Sequence, residues 1–237
     1  MRKSVLIIKN IGHEGPGLLQ TVLAKHNVAS TTIDISGGDA IPDPLDHDAL
    51  VILGGPQSAN DETVSMLQQI EQAKQALNAA QPCLGICLGL QVLVKAGGGA
   101  VTDSPVRETG FFDHEGEPFT ISLTGEGKNN PLFSGLKSGF RVFQLHGETV
   151  NLGEGMQLLA EGAHCRNQAV LIGRNAYGLQ CHFELTPEMI QVWGRLDRDL
   201  SRVDGAALAR QFEAIREEYT ATGIALMTNF LKIAEIL

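Results

Sequence analysis

The N-terminal part of the chain alternates short apolar runs with stretches of helical periodicity, and this alternation constrains the fold more than any other feature of the sequence. The apolar runs are typical of buried strands and lie at residues 4–10, 31–35, 49–53 and 82–86. Helical spacing of apolar residues occupies residues 17–25 and 62–79. Because strands that alternate with helices form parallel sheets, we predict an α/β fold with an open, mostly parallel sheet and helices on both faces.

The rest of the chain changes character twice. Short strand-like runs without long helices between them predict an antiparallel extension of the sheet, at residues 119–123, 140–144, 158–161, 169–174 and 178–183. From Thr186 the pattern is helical, with Pro187 at the first helical position, and we predict three helices. We find no linker or repeat, and we predict one domain at residues 1–190 with a helical extension at residues 191–237 packed on it.

Charge and cysteine spacing exclude several classes of function. The net charge of −9 and the lack of Lys and Arg clusters argue against a nucleic-acid partner. The first residues contain too few consecutive apolar positions for a signal peptide or a membrane span, so we expect a cytoplasmic protein. Cys83, Cys87, Cys165 and Cys181 lack the paired spacing of zinc sites. We therefore predict neither a metal site nor a disulfide framework.

The segment Gly85-Ile86-Cys87-Leu88-Gly89 lies where a buried strand meets a helix. Glycines two positions before and after a central nucleophile are typical of a sharp strand-to-helix turn that exposes this residue above the sheet. The positive end of the helix dipole favours a thiolate, which is the attacking form of cysteine. The sequence therefore predicts Cys87 as a nucleophile, with a buried structural cysteine as the alternative.

A candidate base and its partner lie far downstream, in Gln180-Cys181-His182-Phe183-Glu184, just before a predicted helix. Residues two apart on an extended strand project to the same face, so the imidazole and the carboxylate can cooperate. A base beside a thiol keeps it ionised, and a carboxylate on the other ring nitrogen fixes the tautomer. Each residue alone is more often structural, and the coincidence with the Cys87 turn favours a catalytic set.

Together, Gly85-Ile86-Cys87-Leu88-Gly89-Leu90-Gln91 and the segment around His182 resemble the motifs of class I, or triad, glutamine amidotransferases. The chain is similar to the glutaminase domain of GMP synthetase and to stand-alone relatives, from the first strand to about residue 190. The resemblance implies a flavodoxin-like fold, a catalytic domain at residues 1–190, Cys87 as nucleophile, His182 as general base and acid, and Glu184 as the orienting carboxylate. One residue departs from the family, which usually has Pro where this chain has Phe183.

The resemblance also implies a supporting site. The backbone N–H groups of Gly55 and Leu88 would hold the oxyanion that forms during acyl transfer. Family positions that contact the substrate glutamine correspond to Gln91, Glu108, His146 and Gly147. The alternatives are an ordinary turn at Gly55, a helix-surface amide at Gln91 and a strand cap at His146.

The expected reaction releases ammonia from the glutamine side chain through a γ-glutamyl thioester on Cys87, without a cofactor. We expect any ammonia acceptor on a separate synthetase subunit, since the sequence has no phosphate loop. A stand-alone γ-glutamyl peptidase or hydrolase with the same triad is the second hypothesis. A non-catalytic binding or regulatory module is the third, and the intact Cys-His-Glu set argues against it. The apolar stripe of residues 204–237 is expected to pack on the domain, with a homodimer contact or a synthetase-docking surface as alternatives.

Overall fold

The computed structural model describes residues 3–237, apart from the side chain of Arg202. The strands in this part of the chain are β1 Ser4–Lys9, β2 Ala29–Asp34, β3 Ala49–Ile52, β4 Cys83–Ile86, β5 Ala100–Gly110, β6 Thr120–Leu123, β7 Gly139–Arg141, β8 Gln144–Asn151, β9 Met156–Gly162, β10 Ala169–Ile172 and β11 Ala176–Leu179. The helices are α1 Leu18–Lys25, α2 Val64–Asn78, α3 Leu88–Ala96, α4 Gly125–Lys128, α5 Pro187–Leu196 and α6 Gly205–Ile233.

The main sheet confirms the predicted α/β architecture. Within the described residues its strand order is β2-β1-β3-β4-β11-β10-β9-β6-β7. The first five strands in this order are parallel to one another, and the remaining four form the antiparallel extension, which begins where β10 pairs with β11. Apolar side chains of α1 and α6 cover one face of the sheet, and those of α2 and α3 cover the other. Burial on both faces explains why β1, β3 and β4 are continuous apolar runs.

The chain reverses direction across the sheet between β1 and β3. β2 lies on the outer side of β1, whereas β4 lies on the other side of β3. The loops that leave the carboxyl ends of β1 and β3 therefore diverge and open a crevice at this edge. Open α/β sheets bind their ligands at such a switch point. The loop at residues 10–17 and Gly54 line the two sides of this crevice.

The chain after α3 differs from the prediction in three places. The strand predicted at residues 178–183 in the antiparallel extension is β11, which ends at Leu179 and runs parallel to β4. β5 and β8 form a separate antiparallel pair, and β5 was not predicted. Its side chains are mostly polar and exposed, so it lacks the apolar alternation by which strands are recognised. The single strand predicted at residues 140–144 is divided between the end of β7 and the start of β8, with Val142 and Phe143 between them.

The C-terminal region forms two α-helices, α5 and α6, joined through a 3₁₀ turn at Leu200–Arg202, instead of the three helices predicted. α6 continues through Gly223, where a side chain would collide with the carbonyl oxygen of Phe183. The glycine therefore allows the helix to approach the end of the parallel sheet closely. The division at residue 190 stays a prediction. None of the helices in residues 3–237 combines the length and the apolar character needed to span a membrane.

Candidate active site

Cys87 occupies the sharp turn between β4 and α3, as predicted. Its backbone has φ 53° and ψ −108°, a conformation that L-residues rarely adopt. The turn is this tight because Gly85 has no side chain, since a Cβ there would overlap the carbonyl oxygen of Gly89. The Cys87 N–H donates to the carbonyl of Leu179 at 2.7 Å, which fixes the turn to β11. The thiol is thereby held at the carboxyl edge of the parallel strands.

His182 and Glu184 follow β11 and contact each other directly. His182 Nδ1 lies 2.6 Å from Glu184 Oε1, and the second carboxylate oxygen accepts the N–H of Phe183 at 2.9 Å. β11 ends at Leu179, three residues before the histidine. A backbone hydrogen bond from His182 N to Phe143 O at 2.9 Å keeps the segment extended beyond the strand. The two side chains therefore share a face, as the sequence predicts.

The His182 ring is almost completely buried, with 1% of the residue exposed. Burial opposes protonation, but the adjacent Glu184 carboxylate and the Cys87 sulfur outweigh it and raise the pKa of His182 well above its usual value. Trp193 packs edge-on against the ring, with centroids 5.2 Å apart. The imidazole is therefore oriented by an acid on one nitrogen and shielded from water by an indole.

The thiol and the imidazole meet beside Gly54. A Cβ on this glycine would lie 3.3 Å from His182 Cε1 and 3.6 Å from Cys87 Cβ. His182 Nε2 has no hydrogen-bond partner within the described residues. Gln180 Nε2 lies 3.8 Å from the Cys87 sulfur and points a donor at it. A thiol, an imidazole and a carboxylate are thus brought together from two distant parts of the chain.

Two backbone N–H groups next to the thiol are unused. Within residues 3–237 neither Gly55 N nor Leu88 N donates to a protein acceptor. Leu88 is the first residue of α3, where the N–H groups of a helix lack internal partners. Both residues line the same cleft as Cys87. Free backbone donors beside a thiol are the kind of group that would bind an oxyanion.

The thiol opens into a cleft of about 670 Å³. This volume lies within the range of roughly 300–1,000 Å³ typical of small-molecule sites. The lining residues are Glu14, Gly55, Pro56, Gln57, Ser58, Cys87, Leu88, Gln91, Asp103, Arg107, Leu145, His146, Gly147, Glu148, His182, Asp197, Arg198 and Asp199. The cleft is strongly polar and carries carboxylates on several sides.

The predicted substrate-binding residues separate into two groups. Gln91, His146 and Gly147 line the cleft, and Gln91 is buried, which excludes the helix-surface alternative. Glu108 does not line the cleft. Its carboxylate lies behind His146, 2.9 Å from Nε2, and accepts a hydrogen bond from Gln168 at 3.2 Å. The structure therefore places Glu108 where it orients His146 rather than where it contacts a ligand.

One group of potential metal ligands occurs among the described residues. Ligand atoms of Glu108, His146 and Cys165 lie within 4.8 Å of one another. The Cys165 sulfur lies 3.1 Å from the hydroxyl of Thr149, and burial is the main cause that raises its pKa. Hydrogen bonding accounts for the cluster, which lies behind the wall of the cleft.

Several cleft residues were missed in the sequence. Glu14 follows β1 at the switch point, and a carboxylate just after a buried parallel strand is a signal that could have found it. Asp197, Arg198 and Asp199 enter the cleft from the turn after α5. Nothing in a charged helix-end segment marks it as part of a distant site. Gln180 belongs to the motif around His182 but was not predicted as a site residue, yet it is fully buried beside the thiol.

Comparison with known proteins agrees with this geometry. Residues 17–191 match the family model of class I glutamine amidotransferases. The chain belongs to this family. Members of this family are generally cysteine-dependent enzymes that hydrolyse glutamine.

Three relatives of the chain have names that describe different kinds of protein. The chain is 35% identical to the glutamine amidotransferase-like protein YfeJ of Salmonella typhimurium, over 66% of this chain and 65% of that protein. It is 33% identical to the gamma-glutamyl-L-1-hydroxyisopropylamide hydrolase of a Pseudomonas species, over 59% and 48%. It is 30% identical to the GMP synthase of Porphyromonas gingivalis, over 76% and 33%. The chain thus spans between a third and two thirds of the length of these relatives.

A solved structure supports the whole architecture. The glutamine amidotransferase of Methylobacillus flagellatus superimposes with a TM-score of 0.86 at 25% identity, covering 98% of this chain and 96% of that one. The family model ends near residue 191, whereas this structural match includes α6. The C-terminal helices are therefore shared with at least one other class I glutamine amidotransferase.

Phe183 stands where class I glutamine amidotransferases usually have proline. Its backbone and its side chain each make one contact that proline could not make. Its N–H, which proline lacks, donates to Glu184 Oε2. Its ring is fully buried and stacks on Tyr219, with centroids 6.3 Å apart. The departure from the family pattern leaves the His182–Glu184 pair intact and adds a hydrogen bond to the carboxylate.

Proposed function

We propose that this chain hydrolyses the side-chain amide of glutamine through a γ-glutamyl thioester on Cys87. The observation that carries the proposal is the arrangement of three side chains at one end of a cleft. Cys87 lies on a strained turn beside the His182 imidazole, whose Nδ1 contacts Glu184 at 2.6 Å. Membership of a family of glutamine-hydrolysing enzymes supports the same reaction.

In the first half of the reaction the Cys87 thiolate attacks the amide carbon. The carbonyl electrons move to oxygen, and the free N–H groups of Gly55 and Leu88 donate hydrogen bonds to the negatively charged oxygen. His182 holds a proton on Nε2 because its pKa is raised by Glu184 and Cys87. It gives this proton to the leaving nitrogen, the C–N bond breaks, and ammonia departs from the thioester.

Water completes the reaction. After ammonia leaves, His182 Nε2 is free to accept a proton from a water molecule, which attacks the thioester carbon. The C–S bond breaks, glutamate is released and the Cys87 thiolate is restored. Glu184 stays ionised throughout, holding the tautomer of His182 and stabilising its cationic form. Gln91 and Gly147 line the side of the cleft that would receive the glutamyl group.

A second candidate is a hydrolase of substituted γ-glutamyl amides, in which an amine replaces ammonia. The volume of about 670 Å³ favours it, because a glutamine molecule is small for a cleft of that size. One relative carries such an activity in its name. The chemistry at Cys87 would be the same, and only the leaving group would differ. Transfer of ammonia to a separate synthetase subunit belongs to the first candidate, since GMP synthase is among the relatives.

The test is glutamate release from L-glutamine by the purified chain and by Cys87→Ser. We expect a loss of at least about 10³-fold in the variant, with the acyl-enzyme trapped by acid quench in the wild type only. Cys83→Ser is the matched control, because the Cys83 thiol lies at the start of β4, the strand that leads to Cys87, has its pKa raised to about 12 by burial, and does not line the cleft. Equal activity of wild type and Cys87→Ser on glutamine and on γ-glutamyl amides would refute the proposal.

A further inference from the structure

Glu14 is a buried carboxylate that the proposed reaction does not use. Only 5% of the residue is exposed, and it lines the cleft together with Cys87 and His182. Within the described residues its carboxylate receives no hydrogen bond. Burying such a group without a partner costs free energy, and native proteins do so mainly where a ligand or a reaction needs it. Glu14 therefore faces an interaction that the protein alone does not supply.

The position of Glu14 is fixed by its surroundings. A Cβ on Gly54 would lie 2.5 Å from Glu14 Oε2 and 3.3 Å from His182 Cε1, so the missing side chain lets the carboxylate and the imidazole approach the same point. The Trp193 indole donates to the carbonyl of His13 at 3.2 Å. The Leu18 N–H donates to the carbonyl of Glu184 at 2.8 Å. The loop is thus tied to α5 through His13, and the residue that follows it is tied to Glu184.

The position of Glu14 indicates which part of a bound substrate it would contact. His182 must protonate the nitrogen that leaves, so the leaving group lies against His182. Gln91, by contrast, contacts the carbonyl of Glu148 at 3.5 Å, on the wall expected to receive the glutamyl group. Glu14 contacts the His182 side and makes no described contact with that wall. It therefore lies where the leaving group, not the glutamyl group, would bind.

The charges near Glu14 are predominantly negative. Burial is the main cause that raises its pKa to about 7, with Glu184 and Asp197 adding to the rise and His182 opposing it. Asp197 lines the same cleft, and one of the two cleft arginines, Arg107, is paired with Asp199 at 2.8 Å. A cation arriving here would relieve the repulsion between carboxylates and hold Glu14 in its ionised form.

We propose that Glu14, together with Asp197, is a specificity residue that binds an ammonium group on the leaving amine, so that γ-glutamyl conjugates of diamines are preferred substrates. This inference rests on the proposed function, because it needs the Cys87 thioester chemistry. Glu14 contributes one ionised oxygen to the ammonium, and Asp197 contributes the second carboxylate. The leaving diamine takes its new proton from His182, as ammonia would.

The experiment compares two matched substrates on the full chain. γ-Glutamyl-3-aminopropylamide carries a terminal ammonium, and γ-glutamyl-butylamide carries a methyl group in its place. We expect kcat/KM to favour the ammonium substrate by about tenfold in the wild type, since a hydrogen bond to a charged group in a buried site is worth about that much. In Glu14→Gln the ratio should fall close to one. Circular dichroism and thermal unfolding establish that the variant is folded.

Controls separate this inference from the proposed function. Glu71→Gln removes a carboxylate from the exposed face of α2 and should keep the wild-type ratio. A wild-type ratio near one, with turnover that still requires Cys87, would overturn the diamine proposal and leave the thioester reaction standing. A ratio that Glu14→Gln does not change would remove Glu14 from the recognition. If no γ-glutamyl compound is hydrolysed in a Cys87-dependent manner, both proposals fall.

The pH dependence of the same ratio is an independent readout. The groups facing Glu14 are His182, Glu184 and Asp197, and His13 is its neighbour in the loop. Titration of His182 affects both substrates and cancels in the ratio. The wild-type preference for the ammonium substrate should decrease below about pH 7 as Glu14 becomes protonated. A ratio in Glu14→Gln that varies with pH as the wild type does would contradict the assignment.

Discussion

The two sides of the cleft are built in different ways. The Cys87 side depends on close backbone packing, in which Gly85 makes room for Gly89 within the turn and Gly89 makes room for the carbonyl of Ile52 on β3. The His182 side depends on contacts from distant parts of the chain. Phe143 accepts the His182 N–H, and the Tyr219 hydroxyl donates to the His182 carbonyl at 2.8 Å.

Because of this difference, substitutions on the two sides of the cleft should have different effects. On the Cys87 side a larger residue collides with main-chain atoms that cannot move independently, so the effect should fall on folding. On the His182 side the ring is held by hydrogen bonds and charge, so isosteric changes should leave the fold intact and alter orientation or protonation. The predictions below test whether the two sides can be affected independently.

The largest effect is expected from Glu184→Gln on the His182 side. The amide keeps an oxygen for the Phe183 N–H but presents N–H groups to His182 Nδ1, which disfavours the tautomer that the reaction needs. We expect kcat to fall by about 10³- to 10⁴-fold with little change in thermal stability. The measurement is steady-state hydrolysis of whichever γ-glutamyl substrate the wild type uses. Glu188→Gln, on the exposed first turn of α5, is the control and should retain activity.

Gly85→Ala should act on folding instead. Its Cβ would overlap the carbonyl oxygen and the carbonyl carbon of Gly89, so β4 and α3 must separate. We expect a loss of about 3–4 kcal/mol in the free energy of unfolding, measured by urea denaturation. Gly205→Ala is the matched control, because a Cβ at this first residue of α6 meets no atom within 4 Å. Equal destabilisation by the two substitutions would show that packing at the turn is not limiting.

The same contrast explains which parts of the fold and the site could be predicted from the sequence. The Cys87 turn was predicted correctly because its determinants, a buried strand, two glycines and a helix start, lie within a few residues. The parallel strands were found because burial on both faces leaves apolar runs. Local chemistry of this kind is encoded in consecutive positions, so a single sequence suffices to recognise it.

The other side of the cleft could be predicted only in part. His182 and Glu184 were recognised through their spacing, but the residues that surround them come from three distant segments. The position of Glu14 after a buried parallel strand places it at the carboxyl edge of the sheet, but nothing local in Asp197 indicates that the fold brings it to the same cleft. β5 escaped prediction because its polar, exposed residues lack a hydrophobic period. Proximity across the chain is a property of tertiary packing, which these patterns do not specify.

The third prediction concerns stability and pH through Glu14. Burial raises the pKa of Glu14 from its usual value of about 4.5 to about 7 in the folded state, so the folded protein binds the proton more tightly than the unfolded chain. This contribution to stability is therefore complete below about pH 4.5 and is lost as the pH rises towards 7. Glu14→Gln, which stays neutral, should gain up to about 3 kcal/mol relative to the wild type between pH 4.5 and pH 8.

Chemical denaturation of both proteins across this pH range measures the difference directly. His182 also has a raised pKa and loses its stabilising contribution as the pH rises, but it is present in both proteins and is largely removed by the subtraction. Parallel stability curves for wild type and Glu14→Gln would mean that Glu14 is ionised in the folded protein at all these pH values. Its burial beside the acids would then be compensated by the positive charge of His182.

The smallest effect is expected from Tyr219→Phe, which removes one hydroxyl from α6 and leaves the His182 carbonyl without its donor. A buried hydrogen bond of this kind contributes about 1–2 kcal/mol to stability. We also expect kcat to fall a few-fold, because the carbonyl anchors the residue that carries the base. Tyr177→Phe makes the same change at the chain's other tyrosine, which lies on β11 and does not line the cleft. If both variants lose stability but only Tyr219→Phe loses kcat, the C-terminal helix acts on the base itself; equal losses of kcat would mean that α6 supports the His182 side only by stabilising the fold.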